Sequence, residues 1–307
     1  MLQEEAYRLF DTELQGWQLA RSKYEEMRSS DYKKFSFGDF SVEVVCNPAR
    51  IRSTAAAVHT IMAKMRQTDK PFIPQPTNNE NTCFLCSNVR PKEQHYIKVG
   101  DFDLLVNPYP IFPIHFTIAH RHHKKQEIMP YFEDYLYFAR ELPDFGVFFN
   151  GANCGASAPF HIHFQAAEKK HFGVVRDFEQ MPANHFHTIK QENCCRIVEI
   201  KDYLRKAFCL EGRDENILKE LFYTTFRAKI EQNMLNIVSH CSEGLYRIFV
   251  FPRKKFRPTQ FYESDSEKCL CISPASVEMS GRIVTIFPEH FQRLEREDIV
   301  DIYNQIS

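Results

Sequence analysis

The segment Asn150-Gly151-Ala152-Asn153-Cys154-Gly155-Ala156-Ser157-Ala158-Pro159-Phe160-His161-Ile162-His163-Phe164-Gln165 decides the fold of this 307-residue chain. In a β-strand alternate side chains share one face, so His161, His163 and Gln165 point to the same side while the residues between them enter the core. The turn before the strand leaves backbone N–H groups and a hydroxyl accessible, as a phosphate group requires. We therefore expect a phosphate-binding strand end, with the turn residues Asn150, Gly151, Gly155 and Ser157 beside it.

Composition sets limits on the partners of the protein. The chain has 39 basic and 40 acidic residues and a net charge of -1, which gives no general attraction to nucleic acid or to a membrane surface. An anionic ligand must then be held by a local site. Residues 1–28 lack the pattern of a secretory signal, and no stretch of 18 uninterrupted apolar residues occurs, so we expect a cytoplasmic protein.

Hydrophobic periodicity predicts an α+β protein in which strands alternate with helices. The order strand, strand, helix occurs twice, which suggests two related halves, residues 1–185 and 186–307. We predict helices at residues 2–28, 126–141 and 217–226. We predict a strand or hairpin at residues 35–45, and strands at residues 101–106, 114–119, 145–150, 160–166, 234–239, 245–251 and 282–287.

The pair Cys83 and Cys86 has the spacing of half a zinc site. Two further ligands must come from elsewhere, and one of them could be His161 on the predicted strand. The other would come from the cluster His115, His120, His122 and His123. Such a site with four protein ligands would hold the strand in place without taking part in catalysis. The alternative is two buried free cysteines and a solvated turn rich in histidine.

These residues match the pattern of a known family. The Cys-x-x-Cys pair, Asn107-Pro108-Tyr109-Pro110 with His115 after it, and the Asn-Gly…Gly-x-Ser…His-x-His-x-Gln segment resemble the histidine-triad superfamily. The branch that looks most similar contains galactose-1-phosphate uridylyltransferase, diadenosine tetraphosphate phosphorylase and the GDP-hexose phosphorylases. Residues 246–253 and 273–281 are similar to segments of the second half of GDP-hexose phosphorylases.

The resemblance implies a histidine-triad-like fold with two halves, antiparallel sheets and flanking helices. It implies that His163 attacks the α-phosphorus and carries the nucleotidyl group, and that His161 binds structural zinc together with Cys83 and Cys86. By spacing we favour His122 as the fourth ligand, with His120 and His123 as alternatives. Related enzymes are often dimers, so a homodimer is also expected.

The third polar position, Gln165, separates types of reaction. A histidine there could protonate a poor leaving group, whereas glutamine can only hydrogen-bond a phosphoryl oxygen. This is sufficient when the leaving group is a stable anion such as a sugar phosphate, whose second pKa is about 6. The sequence therefore favours transfer or phosphorolysis, with inorganic phosphate or a sugar 1-phosphate as acceptor, over hydrolysis.

Basic and amide side chains near the site are expected to bind the substrate, because charge neutralisation supplies much of the catalysis of phosphoryl transfer. For each basic residue a solvated surface charge is the alternative. One residue more than in the uridylyltransferases, Phe160, lies in the turn and affects which base or sugar fits. The candidates are Arg50, Arg52, Asn107, Arg253 and Lys254.

We expect first the phosphorolysis of a nucleoside diphosphate sugar, then uridylyl transfer between sugar phosphates, then cleavage of a dinucleoside polyphosphate. A protein that binds nucleotides without turnover, and a plain hydrolase, are the alternatives. We expect no further site at Cys194 and Cys195, at Cys269 and Cys271, or at His185 and His187.

Overall fold

The computed structural model describes residues 1–50 and 80–307, and Arg52 lies outside them. The helices are α1 Leu2–Gly16, α2 Gln18–Arg28, α3 Phe132–Glu141, α4 Gly173–Gln180, α5 Glu215–Glu231, α6 Ser276–Met279, α7 Pro288–Arg293 and α8 Arg296–Ile306. The strands are β1 Asp31–Ser36, β2 Ser41–Cys46, β3 Tyr96–Val99, β4 Phe102–Val106, β5 His115–His120, β6 Phe145–Asn150, β7 His163–Glu168, β8 Phe186–Glu192, β9 Cys195–Ile200, β10 Ala207–Gly212, β11 Leu235–Ser242, β12 Leu245–Pro252 and β13 Arg282–Thr285.

A ten-stranded sheet in the order β3-β4-β5-β7-β6-β11-β12-β10-β9-β8 forms the centre of the molecule. Read inward from its edge, each half of the sheet has the same strand order: β3-β4-β5-β7-β6 in one half and β8-β9-β10-β12-β11 in the other. A helix follows the third strand of each half, α3 after β5 and α5 after β10. The halves meet where β6 pairs antiparallel with β11, Asn150 opposite Asn236. The predicted α+β fold with two related halves is confirmed.

Both faces of this sheet are covered, because alternate side chains of the central strands enter two different cores. Phe164 and Ala166 of β7 pack with α1, α2, α3 and α5. Ala167 of the same strand packs on the other face with β2, α4, α6 and α8. Because side chains alternate along a strand, His163 and Gln165 lie on the same face as Ala167.

Several predicted boundaries differ from the structure. The N-terminal helix breaks at Trp17, whose backbone is extended (φ -109°, ψ 101°), so two helices replace one. Strand β7 begins three residues later than predicted, at His163. Strands β8, β9 and β10 were not predicted. In β8 five consecutive residues are exposed and no alternation marks it as a strand.

A further strand pair and a parallel neighbour form a small second sheet in the order β1-β2-β13. This sheet places strand β2 of the N-terminal half beside β13, the strand that follows α6. No helix in the part of the chain that the structure describes is long and apolar enough to cross a membrane.

Candidate active site

His163 has the geometry of a nucleophile. It is the first residue of β7 and is buried, and its Nδ1–H donates to the backbone carbonyl of His161 at 2.8 Å. The lone pair is then on Nε2, a buried atom with no hydrogen-bond partner among residues 1–50 and 80–307. Burial lowers the pKa of His163, so the ring is neutral at neutral pH and Nε2 can attack an electrophile.

Gln165 is held by His115, which begins β5 and is fully buried. The N–H of Ile111 donates to His115 Nδ1 at 3.2 Å, so the ring proton is on Nε2. His115 Nε2 lies 3.0 Å from Gln165 Oε1 and donates to it. The amide oxygen of Gln165 is therefore occupied, and its NH2 group remains as the donor for a phosphoryl oxygen.

Arg50 interacts electrostatically both with His115 and with Glu278 of the C-terminal half. Burial and, second, the positive charge of Arg50 lower the pKa of His115 to about 3. Arg50 donates through Nη1 to the carbonyl of Tyr109 at 2.6 Å. Glu278 of α6 is buried, and burial raises the pKa of its carboxyl to about 7 although Arg50 and Arg253 oppose this. Arg50 is thus a cation near His115, and Glu278 is a weakly acidic carboxyl near Arg50.

Four side chains form a group that can hold a metal ion: Cys83, Cys86, His123 and His161. The Nδ1 of His161 lies 3.4 Å from the Sγ of Cys83 and 3.5 Å from that of Cys86, and the Nδ1 of His123 lies 3.3 Å from the Sγ of Cys86. Tetrahedral zinc with ordinary bond lengths would place S and N ligands about 3.6 Å apart. His161 Nε2–H donates to the carbonyl of His120 at 2.6 Å, which turns the Nδ1 lone pair toward the thiols.

The fourth side chain of this group is His123 and not His122, which we favoured by spacing. His120 Nδ1 accepts the N–H of His122 at 3.0 Å, and the two rings lie side by side with centroids 5.8 Å apart. This tight turn directs the next residue, His123, toward Cys86. Because the histidines are consecutive, their spacing in the sequence did not distinguish them.

A family model described as "Domain of unknown function (DUF4922)" matches residues 9–168. This is 160 of the 307 residues, more than half of the chain, and it includes Arg50, His115, His163 and Gln165. The chain belongs to the DUF4922 family. A search of curated proteins found no match.

The fold of this DUF4922 protein is similar to crystal structures of yeast Ap4A phosphorylase Apa2. One of them matches with a TM-score of 0.57 and 16% identity, over 94% of this chain and 95% of that one. The complex of that enzyme with Ap4A gives a TM-score of 0.54 at 16% identity over 94% and 95%, and the complex with AMP gives 0.53 at 16% over 95% and 94%. The chain therefore shares the fold of that enzyme over nearly its full length, and the expected antiparallel sheets with flanking helices are confirmed.

Two side chains predicted to bind substrate, Arg253 and Asn150, make hydrogen bonds inside the protein. Arg253 is fully buried, and its five N–H groups all donate inside the protein, to Asn236 and to the carbonyls of Pro274, Lys255, Phe256 and Ile306. The Oδ1 of Asn150 accepts from Asn236 at 2.9 Å and from the N–H and hydroxyl of Ser276 at 2.8 and 2.7 Å. Asn150 thus joins the two halves, Arg253 joins separate segments of the C-terminal half, and no donor of Arg253 remains for a substrate.

The turn glycines are required by close packing. A Cβ on Gly151 would lie 2.3 Å from the carbonyl oxygen of Asn233. Gly155 has a positive φ of 114°, and a Cβ there would lie 2.6 Å from the Cβ of Ala275 in the segment before α6. The turn thus lies directly against the C-terminal half. Ser157, by contrast, is exposed.

The remaining candidates lie around this centre. Asn107 fixes a turn, since its Oδ1 accepts the N–H of Tyr109 at 2.9 Å and its Nδ2 donates to Thr117 at 3.1 Å. Lys254 is exposed after β12.

A second group, Cys269, Cys271 and His290, offers three buried ligand atoms. However, His290 Nδ1 already accepts the N–H of Cys271 at 3.1 Å, so the lone pair that would bind a metal is used within the protein.

Sequence reasoning missed the partnership of His115 with Gln165 and the carboxyl of Glu278. His115 lies 50 residues from Gln165 in the chain. The register of β5 and β7, in which Thr117 pairs with Gln165, is what brings them together. Glu278 lies within the segment 273–281 that carried the C-terminal resemblance, but nothing in its sequence pattern indicates burial.

Proposed function

We propose that this protein is a nucleotidyltransferase of the phosphorylase type, which transfers a nucleoside monophosphate group through a covalent bond to His163. The observation that carries the proposal is the arrangement of His163, whose Nδ1–H is held by the carbonyl of His161 while its buried Nε2 has a free lone pair. The N-terminal half, residues 1–185, would carry the reaction, and residues 186–307 would complete the pocket.

In the first step, Nε2 of His163 attacks the α-phosphorus of the substrate. A P–N bond forms, and the bond from phosphorus to the bridging oxygen breaks, so the leaving group departs as a phosphate anion. The His163 ring becomes positively charged, and the His161 carbonyl stabilises this charge through Nδ1–H. The NH2 group of Gln165 and the hydroxyl of Ser157 donate to the phosphoryl oxygens, and Arg50 supplies positive charge.

In the second step, an oxygen of inorganic phosphate attacks the same phosphorus. The P–N bond breaks, a nucleoside diphosphate is released, and the electron pair returns to Nε2 of His163. No residue has to protonate the leaving group in either step, because a phosphate leaves as a stable anion. The amide of Gln165 is sufficient for this reaction.

We further propose that zinc is the metal bound by Cys83, Cys86, His123 and His161. Two thiols and two imidazoles at tetrahedral distances are typical zinc ligands, and four protein ligands close the site to substrate. The ion would supply no chemistry to the reaction. It would fix His161, whose carbonyl orients the His163 ring.

Two classes of substrate are supported by different observations. A dinucleoside polyphosphate is supported by the fold, which matches over nearly the full length of an enzyme crystallised with Ap4A. A nucleoside diphosphate sugar is supported by the resemblance of residues 246–253 and 273–281 to GDP-hexose phosphorylases. Both contain the same α-phosphorus and an anionic leaving group.

The test is a panel assay with purified protein, inorganic phosphate, a dinucleoside tetraphosphate, and GDP-, UDP- and ADP-sugars. We expect phosphate-dependent release of a nucleoside diphosphate from one of these compounds. Intact-protein mass spectrometry without phosphate should show a gain of one nucleotidyl group. His163→Ala should abolish both results, whereas His187→Ala, at an exposed histidine of β8, should leave both unchanged.

Each other outcome assigns a different function. Turnover that requires a sugar 1-phosphate instead of phosphate would indicate a uridylyltransferase-type exchange. Equal turnover with and without phosphate would indicate a hydrolase. If no compound labels the wild-type protein, the proposal fails and a nucleotide-binding protein without turnover is the better interpretation.

A further inference from the structure

Gln126 is a buried side chain, 1% exposed, that lies in the connection between β5 and α3. Its amide makes three hydrogen bonds with the backbone of the proposed active site. Oε1 accepts the N–H of His163 at 2.8 Å, and Nε2 donates to the carbonyl of His163 at 3.1 Å and to that of Asn150 at 2.9 Å. One side chain thus binds both backbone polar groups of the proposed nucleophile.

The end of the sheet explains why these groups need a partner. In an antiparallel sheet, the backbone polar groups of successive residues point alternately to the two neighbouring strands. On the β5 side, the N–H of His120 donates to the carbonyl of Ile162, so the polar groups of His163 point the other way, toward β6. The last residue pair of β6 and β7 is Phe148 with Gln165, two residues before His163 is reached.

Strand β6 does not pair directly with His163, and the carbonyl of Asn150, the residue that would come opposite His163 in this register, accepts from Gln126 instead. The Gln126 amide occupies the gap and completes the ladder between the two strands. An amide is the one side-chain group that offers an acceptor and two donors on the same planar end. A carboxylate there would face two carbonyl oxygens, and an apolar side chain would leave three backbone groups without partners.

We infer that Gln126 is a positioning residue for His163: by holding the N–H and C=O of that residue, it fixes the position from which Nε2 reaches the α-phosphorus. This inference rests on the proposed function, in which His163 is the nucleophile. Gln126 itself touches only backbone in the described contacts, so it acts through His163. Misplacement of a reacting atom by about 1 Å can cost on the order of 100-fold in rate.

The first test compares Gln126→Met with Gln94→Met under phosphorolysis conditions. Gln94 is the matched control, since it also donates to a backbone carbonyl, that of Val106 on β4, away from His163. We expect Gln126→Met to lower kcat by about 10- to 100-fold with KM within about twofold of wild type. Gln94→Met should leave both constants within twofold. The number of active sites is counted from the nucleotidyl adduct on His163. The inference is overturned if kcat per active site is the same in Gln126→Met as in the wild type.

The second test uses pH with Gln126→Glu, which keeps the shape of the side chain. A protonated carboxyl regains one donor, whereas a carboxylate has none. We therefore expect the ratio of its kcat to that of wild type to rise as the pH is lowered, while the ratio for Gln126→Met stays constant. A purely structural role would give two ratios that do not depend on pH, and this result would overturn the inference.

A third measurement does not require turnover. In ¹⁵N-histidine NMR spectra, wild-type His163 should be neutral and protonated on Nδ1, and Gln126→Met should lose this single tautomer while Gln94→Met keeps it. If the wild-type protein forms no nucleotidyl adduct, the proposed function fails, but the NMR comparison still decides whether Gln126 positions His163. Identical His163 spectra in Gln126→Met and wild type would overturn the inference.

Discussion

His115 Nε2 donates to Gln165 Oε1 at 3.0 Å, and this bond decides which end of the Gln165 amide faces a substrate. An amide can present either its oxygen or its NH2 group, and the two ends have opposite hydrogen-bonding character. Because the oxygen is bound to His115, the NH2 group is presented to a phosphoryl oxygen. A buried neutral histidine thereby converts an ambiguous side chain into a fixed donor.

We predict that His115→Phe, which keeps a ring of similar size without the donor, lowers kcat of the phosphorolysis reaction about tenfold, equivalent to about 1.4 kcal/mol of barrier. The Gln165 amide would then rotate freely between its two orientations. Steady-state kinetics at pH 7 measure this effect. Because burial lowers the pKa of wild-type His115 to about 3, its own titration should not appear in the wild-type profile above pH 5. An unchanged kcat would contradict this account.

Metal binding should depend on His123 and not on His122. We predict that purified wild-type protein holds one zinc ion per chain by elemental analysis, that His123→Ala and Cys83→Ser lose it, and that His122→Ala retains it. Loss of the metal should lower the free energy of unfolding by on the order of 3 kcal/mol, since metal binding contributes to folding. If His122→Ala loses zinc while His123→Ala keeps it, the ligand set described for the structure is incorrect.

Replacing Arg253 should affect stability more than substrate binding. Arg253→Met removes five hydrogen bonds and leaves buried carbonyl groups without donors, and we expect the free energy of unfolding to fall by about 3 kcal/mol. Urea denaturation measures this loss. Lys254→Met, at the neighbouring exposed residue, is the control, and its free energy of unfolding is expected within about 0.5 kcal/mol of wild type. A stable Arg253→Met protein with a raised KM would instead favour a role in substrate binding.

His240 of β11 should make stability depend on pH. It is buried, neither ring nitrogen has a hydrogen-bond partner within the described residues, and burial, Lys169 and Arg247 lower its pKa to about 4 while Glu211 opposes this. The unfolded chain binds the proton below about pH 6.5, whereas the folded protein does not until about pH 4. The stabilising effect of high pH is therefore complete above pH 6.5 and is lost as the pH falls from 6.5 to 4.

We predict that His240→Leu gains stability relative to wild type as the pH is lowered, by about 1.4 kcal/mol per pH unit within that window. Denaturation curves at pH 7, 6 and 5 measure the difference. His187→Gln, at an exposed histidine, serves as the control, and its stability relative to wild type should not change with pH in this way. A difference between His240→Leu and wild type that stays constant with pH would show that His240 is not neutral in the folded protein.

Local sequence determined the elements that depend on neighbouring residues. The period-two pattern of His163 and Gln165 places both polar groups on one face of a strand wherever that strand lies in the fold, although His161, predicted to share that strand, lies before its start. The spacing of Cys83 and Cys86 likewise indicates a ligand pair before any partner is known. These features follow from backbone geometry over a few residues, which is why they could be predicted.

The tertiary structure decided which distant groups meet. It selected His123 over His122, gave Arg253 a structural role, paired His115 with Gln165 and completed the second half with strands β8 to β10. Each depends on strand register or on a turn, which bring together residues tens of positions apart, and no local pattern encodes that separation. The sequence thus determined the chemistry available to this protein, and only the packed sheet decided which atoms stand close enough to use it.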